Sequence, residues 1–300
     1  MKNTPLVSVI TPTFNRAKDY LLETVDSVLA QDYSNFEYIV LDDGSTDNTQ
    51  ALLSSYVDPR LTWSSHENIG VIRTVNKGFQ LAKGEFITVV NSDDPLLPSY
   101  ISKIVEYMLN RPNLLAAYPD WIKIDHQSKE ISHVRTYEFE YIDMISRYYC
   151  FPGPGTMLRR RALELELGYD GRYPHIFDYE FYLRLGIHGD LARFPEILAT
   201  YRHHDNTITS QGEQALIDER FAMLNNFYSR SDLPENILKT KLQAFSNAYF
   251  IAGLSYLDKN KTKARKYFLR AISWYPFRTA RNAYPLGKSR KLIWKTLLPL

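Results

Sequence analysis

Cysteine is all but missing from this 300-residue chain. The lone Cys150 cannot close an intrachain disulfide or build a thiolate metal cluster, which excludes disulfide scaffolds and zinc-ribbon domains. Long apolar runs are also lacking. The longest, such as Phe86-Ile87-Thr88-Val89-Val90, fall far short of the ~20 residues that cross a bilayer. No secretory apolar region precedes the first strand-like segment at Val7, so the expected compartment is the reducing cytoplasm. No G-x-G-x-x-G follows that segment, and no G-x-x-x-x-G-K-[ST], G-x-S-x-G or H-E-x-x-H occurs, so the common dinucleotide, P-loop, esterase and metalloprotease readings fail. With 44% hydrophobic and 23% charged residues, the chain is an ordinary globular one rather than disordered or fibrous.

Acidic residues thin out toward the C-terminus. Residues 258–300 hold twelve Lys/Arg and a single acid, Asp258, a net +11 against −9 for residues 1–257. Trp274, Phe277, Tyr284, Trp294, Leu297 and Leu298 interleave with those cations, the composition of a segment that lies on anionic lipid. A solvated helical face has the same composition. No nucleic-acid-binding signature precedes it, so nucleic acid is not an expected partner.

The first hundred residues alternate strand and helix patterns. Val7–Ile10, Phe36–Leu41, Leu61–Ser65 and Glu85–Val90 read as strands. Between them, Leu21, Val25, Val28 and Leu29, then Val71, Val75, Phe79 and Ala82, recur at helical spacing. Ser45 or Thr46 is expected to cap the helix after the second strand. Crossovers of this kind give a mainly parallel sheet flanked by helices, in which ligands bind beyond the carboxyl ends of the strands. Farther on, short strands are expected at Leu114–Tyr118, Ile122–Ile124 and Thr156–Arg159, a helix from Asp178, and a strand pair at Leu191–Phe194 and Ile197–Arg202. From residue 213 the pattern is helical, with one tetratricopeptide-like hairpin from Ala248 to Ala271. The expected domains are an α/β domain over 1–212 and a helical, basic C-terminal region over 213–300.

Three polar clusters fall at expected strand ends: Thr11–Asn15, Asp42–Ser45 and Asn91–Asp94. They should meet in one crevice. Asp93 and Asp94 suit a hard divalent cation, which takes one or two carboxylates and completes its shell with substrate phosphates. An Asp-rich turn before Pro95 is the alternative. At Asp42-Asp43 a carboxylate can accept the imide N–H of a pyrimidine ring, with Pro12 and Phe14 behind the base; a turn with a helix cap is the alternative there.

Taken together, Val7–Arg16 (VSVITPTFNR), Val40–Asp47 (VLDDGSTD), Asn68-Ile69-Gly70 with Asn76-Lys77-Gly78, Asn91-Ser92-Asp93-Asp94, Asp178-Tyr179-Glu180 with Arg184, and Tyr201–Asn206 resemble, in order, the signature blocks of family 2 glycosyltransferases of the GT-A fold. The resemblance spans roughly residues 5 to 210. It implies a GT-A-like domain and a metal-dependent, inverting hexosyltransferase that uses a nucleotide-sugar donor, UDP-linked by the family pattern. A divalent cation, Mn²⁺ or Mg²⁺, would be held by Asp93 and Asp94. Pro12, Phe14, Asn15 and Asp43 would bind the nucleoside, Asp93 also the ribose, Arg73 a phosphate, and Arg202 with His204 the diphosphate. Asp178 would be the catalytic base. The acceptor would be a glycan or lipid-linked hydroxyl for cell-surface polysaccharide or glycoconjugate synthesis, with the basic C-terminal region resting on the inner membrane face. Two positions depart from the family pattern: Asn91 stands where many members carry the first aspartate, and Arg73 lies three residues before Asn76 rather than beside it. The alternatives are a catalytically silent nucleotide-sugar binder or scaffold, and a nucleotidyltransferase. The latter usually needs a basic Gly-rich loop that Thr11–Arg16 does not supply.

Overall fold

β1 (Val7–Thr13) is buried along its whole length. It pairs in parallel with β2 (Phe36–Asp42) and, on its other side, with β4 (Phe86–Val89), while β2 pairs with β3 (Leu61–Ser65). This computed structural model describes residues 4–203 and 213–276. Thr11-Pro12-Thr13, expected to leave the sheet, continues β1. The reason is local: β4 pairs only with Val7–Ile10, so Pro12 pairs with β2 alone and its missing N–H leaves no gap in the ladder.

The crossovers are α1 (Leu21–Leu29), α2 (Thr49–Ser54), and α3 (Val71–Leu81), with α4 (Tyr100–Leu109) after β4. Alternate strand residues face opposite helical layers. On one side Val7, Val9, Tyr38, Val40 and Phe86 pack with Val25 and Val28 of α1, Leu53 of α2 and Ile101, Ile104 and Met108 of α4. On the other, α3 crosses β1 so closely that a Cβ on Gly78 would sit 2.5 Å from Ile10 Cγ2. Only glycine fits that crossing.

The sheet then turns mixed. β5 (Ala116–Ile124), β6 (Glu130–Val134), β7 (Met157–Arg159) and β8 (Leu191–Arg202) complete the order β3-β2-β1-β4-β7-β5-β6, with β8 pairing to β5. The mainly parallel, helix-flanked α/β class expected from the sequence is the observed one. Two expected strand breaks are bulges instead. Pro119 and Asp120 sit where β5 shifts register inside one strand. Likewise, β8 runs unbroken through Pro195 and Glu196, because it lies parallel to β5 rather than folding back on itself as a pair. The capping expectation also changes: Asp47, not Ser45 or Thr46, receives the Thr49 N–H at 2.9 Å.

The chain packs as two compact units, residues 1–139 with 151–207, and residues 140–150 with 208–300. Compared with a division after residue 212, α5 (Tyr141–Arg147) falls in the second unit. That unit is helical: α8 (Glu213–Phe227), α9 (Glu235–Leu238), α10 (Lys241–Tyr256) and α11 (Lys261–Trp274) follow α5. α10 and α11 form a hairpin whose core is Phe250, Ala264, Phe268 and Ala271. Gly253 lets the helices close, since a Cβ there would lie 2.4 Å from the Phe268 ring. Asn260 caps α11 by accepting the Lys263 N–H at 3.0 Å. Among the described residues no helix is long and apolar enough to cross a membrane.

Candidate active site

Chain direction decides which residues share an edge of the sheet. β1, β2 and β4 run the same way, and the Thr13, Asp43 and Asn91 clusters follow their carboxyl ends. β7 runs against β4, and α6 (Arg160–Leu165) leaves from the opposite edge, where Arg160 N–H bonds the Glu85 carbonyl. β8 starts at that same far edge, because the Asp190 carbonyl accepts from Leu115 N–H just before β5. α7 (Phe177–Leu185), about 13 Å long, follows α6 in the chain and precedes β8.

At the end of β1, Asn15 holds a left-handed backbone (φ 53°) and ties two loops together. Its N–H donates to Ser45 Oγ at 2.8 Å, and its side-chain oxygen accepts from Thr46 N–H at 2.8 Å. Phe14 beside it is 45% exposed, whereas Pro12 is buried within the strand. Asp42 is fully buried and accepts from Ser45 N–H, Gln50 and Ser65.

Asp43 is held by backbone donors. One oxygen accepts from Ile69 N–H at 2.7 Å and the other from Gly70 N–H at 3.0 Å, while His66 Nε2 lies 3.4 Å away. Its side chain is 6% exposed. A carboxylate so committed stabilises the N-terminus of α3, where free N–H groups and the helix dipole favour negative charge. Asp43 thus fixes the 66–70 loop, with one hydrogen bond on each oxygen. Gly44 (φ +78°) completes the approach, since a Cβ there would meet Asn68 N at 2.7 Å.

Asp93 and Asp94 divide their labour. Asp94 is buried, with one oxygen bonded to Arg202 N–H at 2.7 Å and the other to Asn91 Nδ2 at 3.0 Å. Burial, then the neighbouring Asp93, push its carboxyl up to about 7 against those bonds. Asp93 keeps 18% of its side chain exposed and faces Arg16, Nη2 to Oδ2 3.8 Å. Among the described residues no group of three or more His, Cys, Asp or Glu side chains stands ready to hold a metal ion. A hard divalent cation needs no such cage, because it retains waters and substrate phosphates. Asp93 fits that requirement. Asp94, expected as a second ligand, has both oxygens engaged in holding the turn.

Arg202 is bonded within the protein. Its side chain is 0% exposed, stacked 4.1 Å from the Tyr20 ring centre, and paired with Glu23 at 2.6 Å. The guanidinium is thus committed to Glu23, Ser128 and the Asp93 and Asp125 carbonyls. Arg73 lies exposed in the first turn of α3, without an ion pair among the described residues. His204 lies outside the described residues, as does residue 277 onward.

Asp178 sits in the first turn of α7 and accepts from Tyr179 N–H at 2.7 Å. Its side chain is exposed, yet protein surrounds it as fully as an interior group. That burial raises its carboxyl above the ordinary range, and the Tyr179 N–H offsets part of the rise. Behind it Arg184 makes a two-pronged bond to Glu180 (2.7 and 2.9 Å) and reaches Glu166 and the Gly168 carbonyl. Asn76 of α3 clasps Tyr169 through its N–H and carbonyl at 2.9 and 2.8 Å. α7 is thereby braced to α3.

Two site-edge residues escaped the sequence reading. His66, just past β3, lies beside Asp43 with a buried Nδ1 that has no hydrogen-bond partner among the described residues. Its signal was its place, at a fourth strand end. Glu23 pairs with a residue 179 positions away, and no local pattern marks it.

The glycosyl transferase family 2 model matches residues 8–168. An uncharacterised glycosyltransferase of Haemophilus influenzae is 34% identical over 226 residues, 70% of this chain and 69% of that protein. TuaG of Bacillus subtilis (strain 168), named for teichuronic acid biosynthesis, is 40% identical over 110 residues, 36% of this chain and 43% of its own length. Among solved structures, S. aureus TarS 1–349 with UDP-GlcNAc superposes with a TM-score of 0.69 at 17% identity, covering 89% of this chain and 79% of that one. The mannosyltransferase PcManGT of Pyrobaculum calidifontis, with GDP-Man and Mn²⁺, gives 0.60 at 15% identity, covering 98% and 86%. At such identities the structural likeness speaks to fold alone.

Proposed function

This chain belongs to glycosyl transferase family 2, and on that premise we propose that it moves a hexose, with inversion, from a UDP-sugar to a hydroxyl of a glycan or lipid-linked acceptor. The observation that carries the reading is Asp178: an exposed carboxylate, raised above its ordinary pKa, in the first turn of a helix braced to α3 through Tyr169. A relative named for teichuronic acid biosynthesis supports a cell-surface polysaccharide as the product.

Asp178 takes the proton from the acceptor hydroxyl as its oxygen bonds to the anomeric carbon, and the bond from that carbon to the diphosphate oxygen breaks. The nucleoside diphosphate leaves with the electron pair on the opposite face. General-base help of this kind is worth typically ~10²–10⁴-fold. A bound divalent cation, Mn²⁺ or Mg²⁺, supplies Lewis-acid neutralisation of the departing diphosphate. Asp93 would hold that cation, and the Mn²⁺ with which PcManGT was solved supports a cation as part of the reading. Phe14 offers an exposed ring for the base, and Asp43 and Asn15 hold the loops that border it. Arg73 reaches a phosphate from the first turn of α3.

The enzyme works at an anionic membrane surface, from the cytoplasmic side. Supporting this, α11 exposes Lys261, Arg265, Lys266 and Arg270 and contains no acid. Sedimentation with vesicles containing anionic lipid, against neutral vesicles, checks it; equal partitioning ends that part of the reading.

The test of the function is a thermal-shift panel of nucleotide sugars with and without Mn²⁺, followed by turnover. A ligand at ~100 times its Kd adds ~2.7 kcal/mol to the folded state, a readily measured rise. A Mn²⁺-dependent rise with UDP-sugars, and nucleoside diphosphate release, is expected. No shift with any nucleotide sugar overturns the proposal.

A further inference from the structure

Arg202 is bound into the fold at both ends. Its backbone N–H donates to Asp94 Oδ1 at 2.7 Å and its Nε to the Asp93 carbonyl at 2.9 Å. Just before it, Thr200 Oγ1 donates to the Pro95 carbonyl at 2.7 Å, and Leu97 N–H to the Leu198 carbonyl at 3.1 Å. The end of β8 therefore runs along the back of the Asp93-Asp94 turn. At its far end, Nη1 donates to the Asp125 carbonyl and Ser128 Oγ, each at 2.9 Å, and Nη2 to Glu23 Oε2 at 2.6 Å. Ser128 Oγ in turn donates to the same Glu23 oxygen at 2.8 Å. Four of the five guanidinium donors are used, and Tyr20 covers the plane at 4.1 Å.

We infer that Arg202, counter-charged by Glu23, is a positioning residue that sets where the Asp93-Asp94 turn stands, and through it the affinity of the cation and diphosphate site. Part of this rests on the proposed function: the turn must be the donor site for affinity to respond. The geometry of the bracket does not. A planar fork is required, because a lysine in the same place keeps the charge but cannot bond an α1 carboxylate, a β5–β6 turn and the Asp93 carbonyl together. Glu23 is the lever that can be moved safely, since it is 43% exposed in the first turn of α1. Partners that orient a metal ligand cost roughly 10–100-fold in metal affinity or activity when removed.

The experiment uses the full chain as wild type, Glu23→Ala, Glu23→Gln, Arg202→Lys and the Glu23→Ala/Arg202→Lys double variant. Amide hydrogen exchange in the absence of ligand is read over residues 91–97 against β1 and β2. The Mn²⁺ half-saturation and kcat are then read for donor turnover. Glu23→Ala and Arg202→Lys should each speed exchange over 91–97 and raise Mn²⁺ half-saturation about tenfold, with β1, β2 and saturated kcat within about threefold. Glu23→Gln, which restores an acceptor oxygen, should recover most of the loss. The double variant should be no worse than the worse single, because the two residues act as one unit. Wild-type exchange over 91–97 and wild-type Mn²⁺ half-saturation in Glu23→Ala overturn the inference, since a direct diphosphate contact by Arg202 would not need Glu23. If the wild type turns over no nucleotide sugar, the proposed function fails, while the exchange data alone still decide the bracket.

Discussion

Asp42-Asp43 and Asp93-Asp94 look alike as sequence: adjacent carboxylates at or just past the end of a buried strand, on the two neighbours of β1. In the fold their use differs. The first pair is consumed by the protein itself, with every carboxylate oxygen accepting a hydrogen bond from the loops around it. In the second, Asp94 is consumed in the same way, while Asp93 remains partly exposed opposite Arg16. Asp178 joins Asp93 as a solvent-accessible acid, and Asp120, gripped by Arg193 and Thr136, joins Asp43. The lesson is that an acid's chemistry follows from which donors already hold it. Buried, bonded carboxylates hold the loops; the accessible ones are those proposed above to serve ligands.

Substitutions can break that division. The largest effect should come from Asp178→Asn, which removes the base and lowers kcat by ~10²–10⁴ while the melting temperature holds. Steady-state turnover and calorimetry on one preparation check both halves. Next is Asp120→Asn, the reverse case. It removes the two-pronged partner of Arg193, 5% exposed, while Glu138 still pairs with the guanidinium at 2.7 Å, so the cost by urea titration should be about 3 kcal/mol, the low end for breaking a buried pair. Smaller effects should separate the look-alike pairs. Asp93→Asn should weaken Mn²⁺ dependence by about tenfold or more with stability unchanged. Asp43→Asn should cost ~1–3 kcal/mol of stability, because Ile69 or Gly70 loses its acceptor.

The smallest and most discriminating effect is on pH dependence. Burial raises the Asp178 carboxyl, so the base is protonated, and activity lost, as pH falls through a value above the ordinary carboxylate range. For Asp120, burial acts upward too, but the bonds from Arg193 and Thr136 outweigh it and hold the carboxyl low. Its contribution to stability is complete above the unfolded carboxylate pKa and is lost only as pH falls through that depressed value. Activity should therefore fail at a higher pH than the fold does. Coincident loss of turnover and of near-UV circular dichroism would count against the division.

Much of the site edge was legible, because strong β-branched runs at Val7–Ile10 and Phe36–Leu41 ended in polar clusters, and strand ends in such sheets face ligands. β8 was less legible. Pro195-Glu196 looks like a turn, and only pairing with β5 across the sheet turns it into a bulge. β6 carried almost no apolar signal, since its residues are nearly all exposed. Side-chain roles were the hardest to read. Asp43 meets its donors 26 and 27 residues on, and Arg202 meets Glu23 across 179, distances over which a motif names a residue but not its partner.

The most direct measurement is a crystal structure of the full chain with a UDP-sugar and Mn²⁺. The account predicts Mn²⁺ bonded to Asp93 and the diphosphate, Asp94 still accepting from Arg202 N–H, and Asp43 still accepting from Ile69 and Gly70. Mn²⁺ held by Asp94 with that bond broken, or Asp43 released from the loop to grip the base, would contradict it.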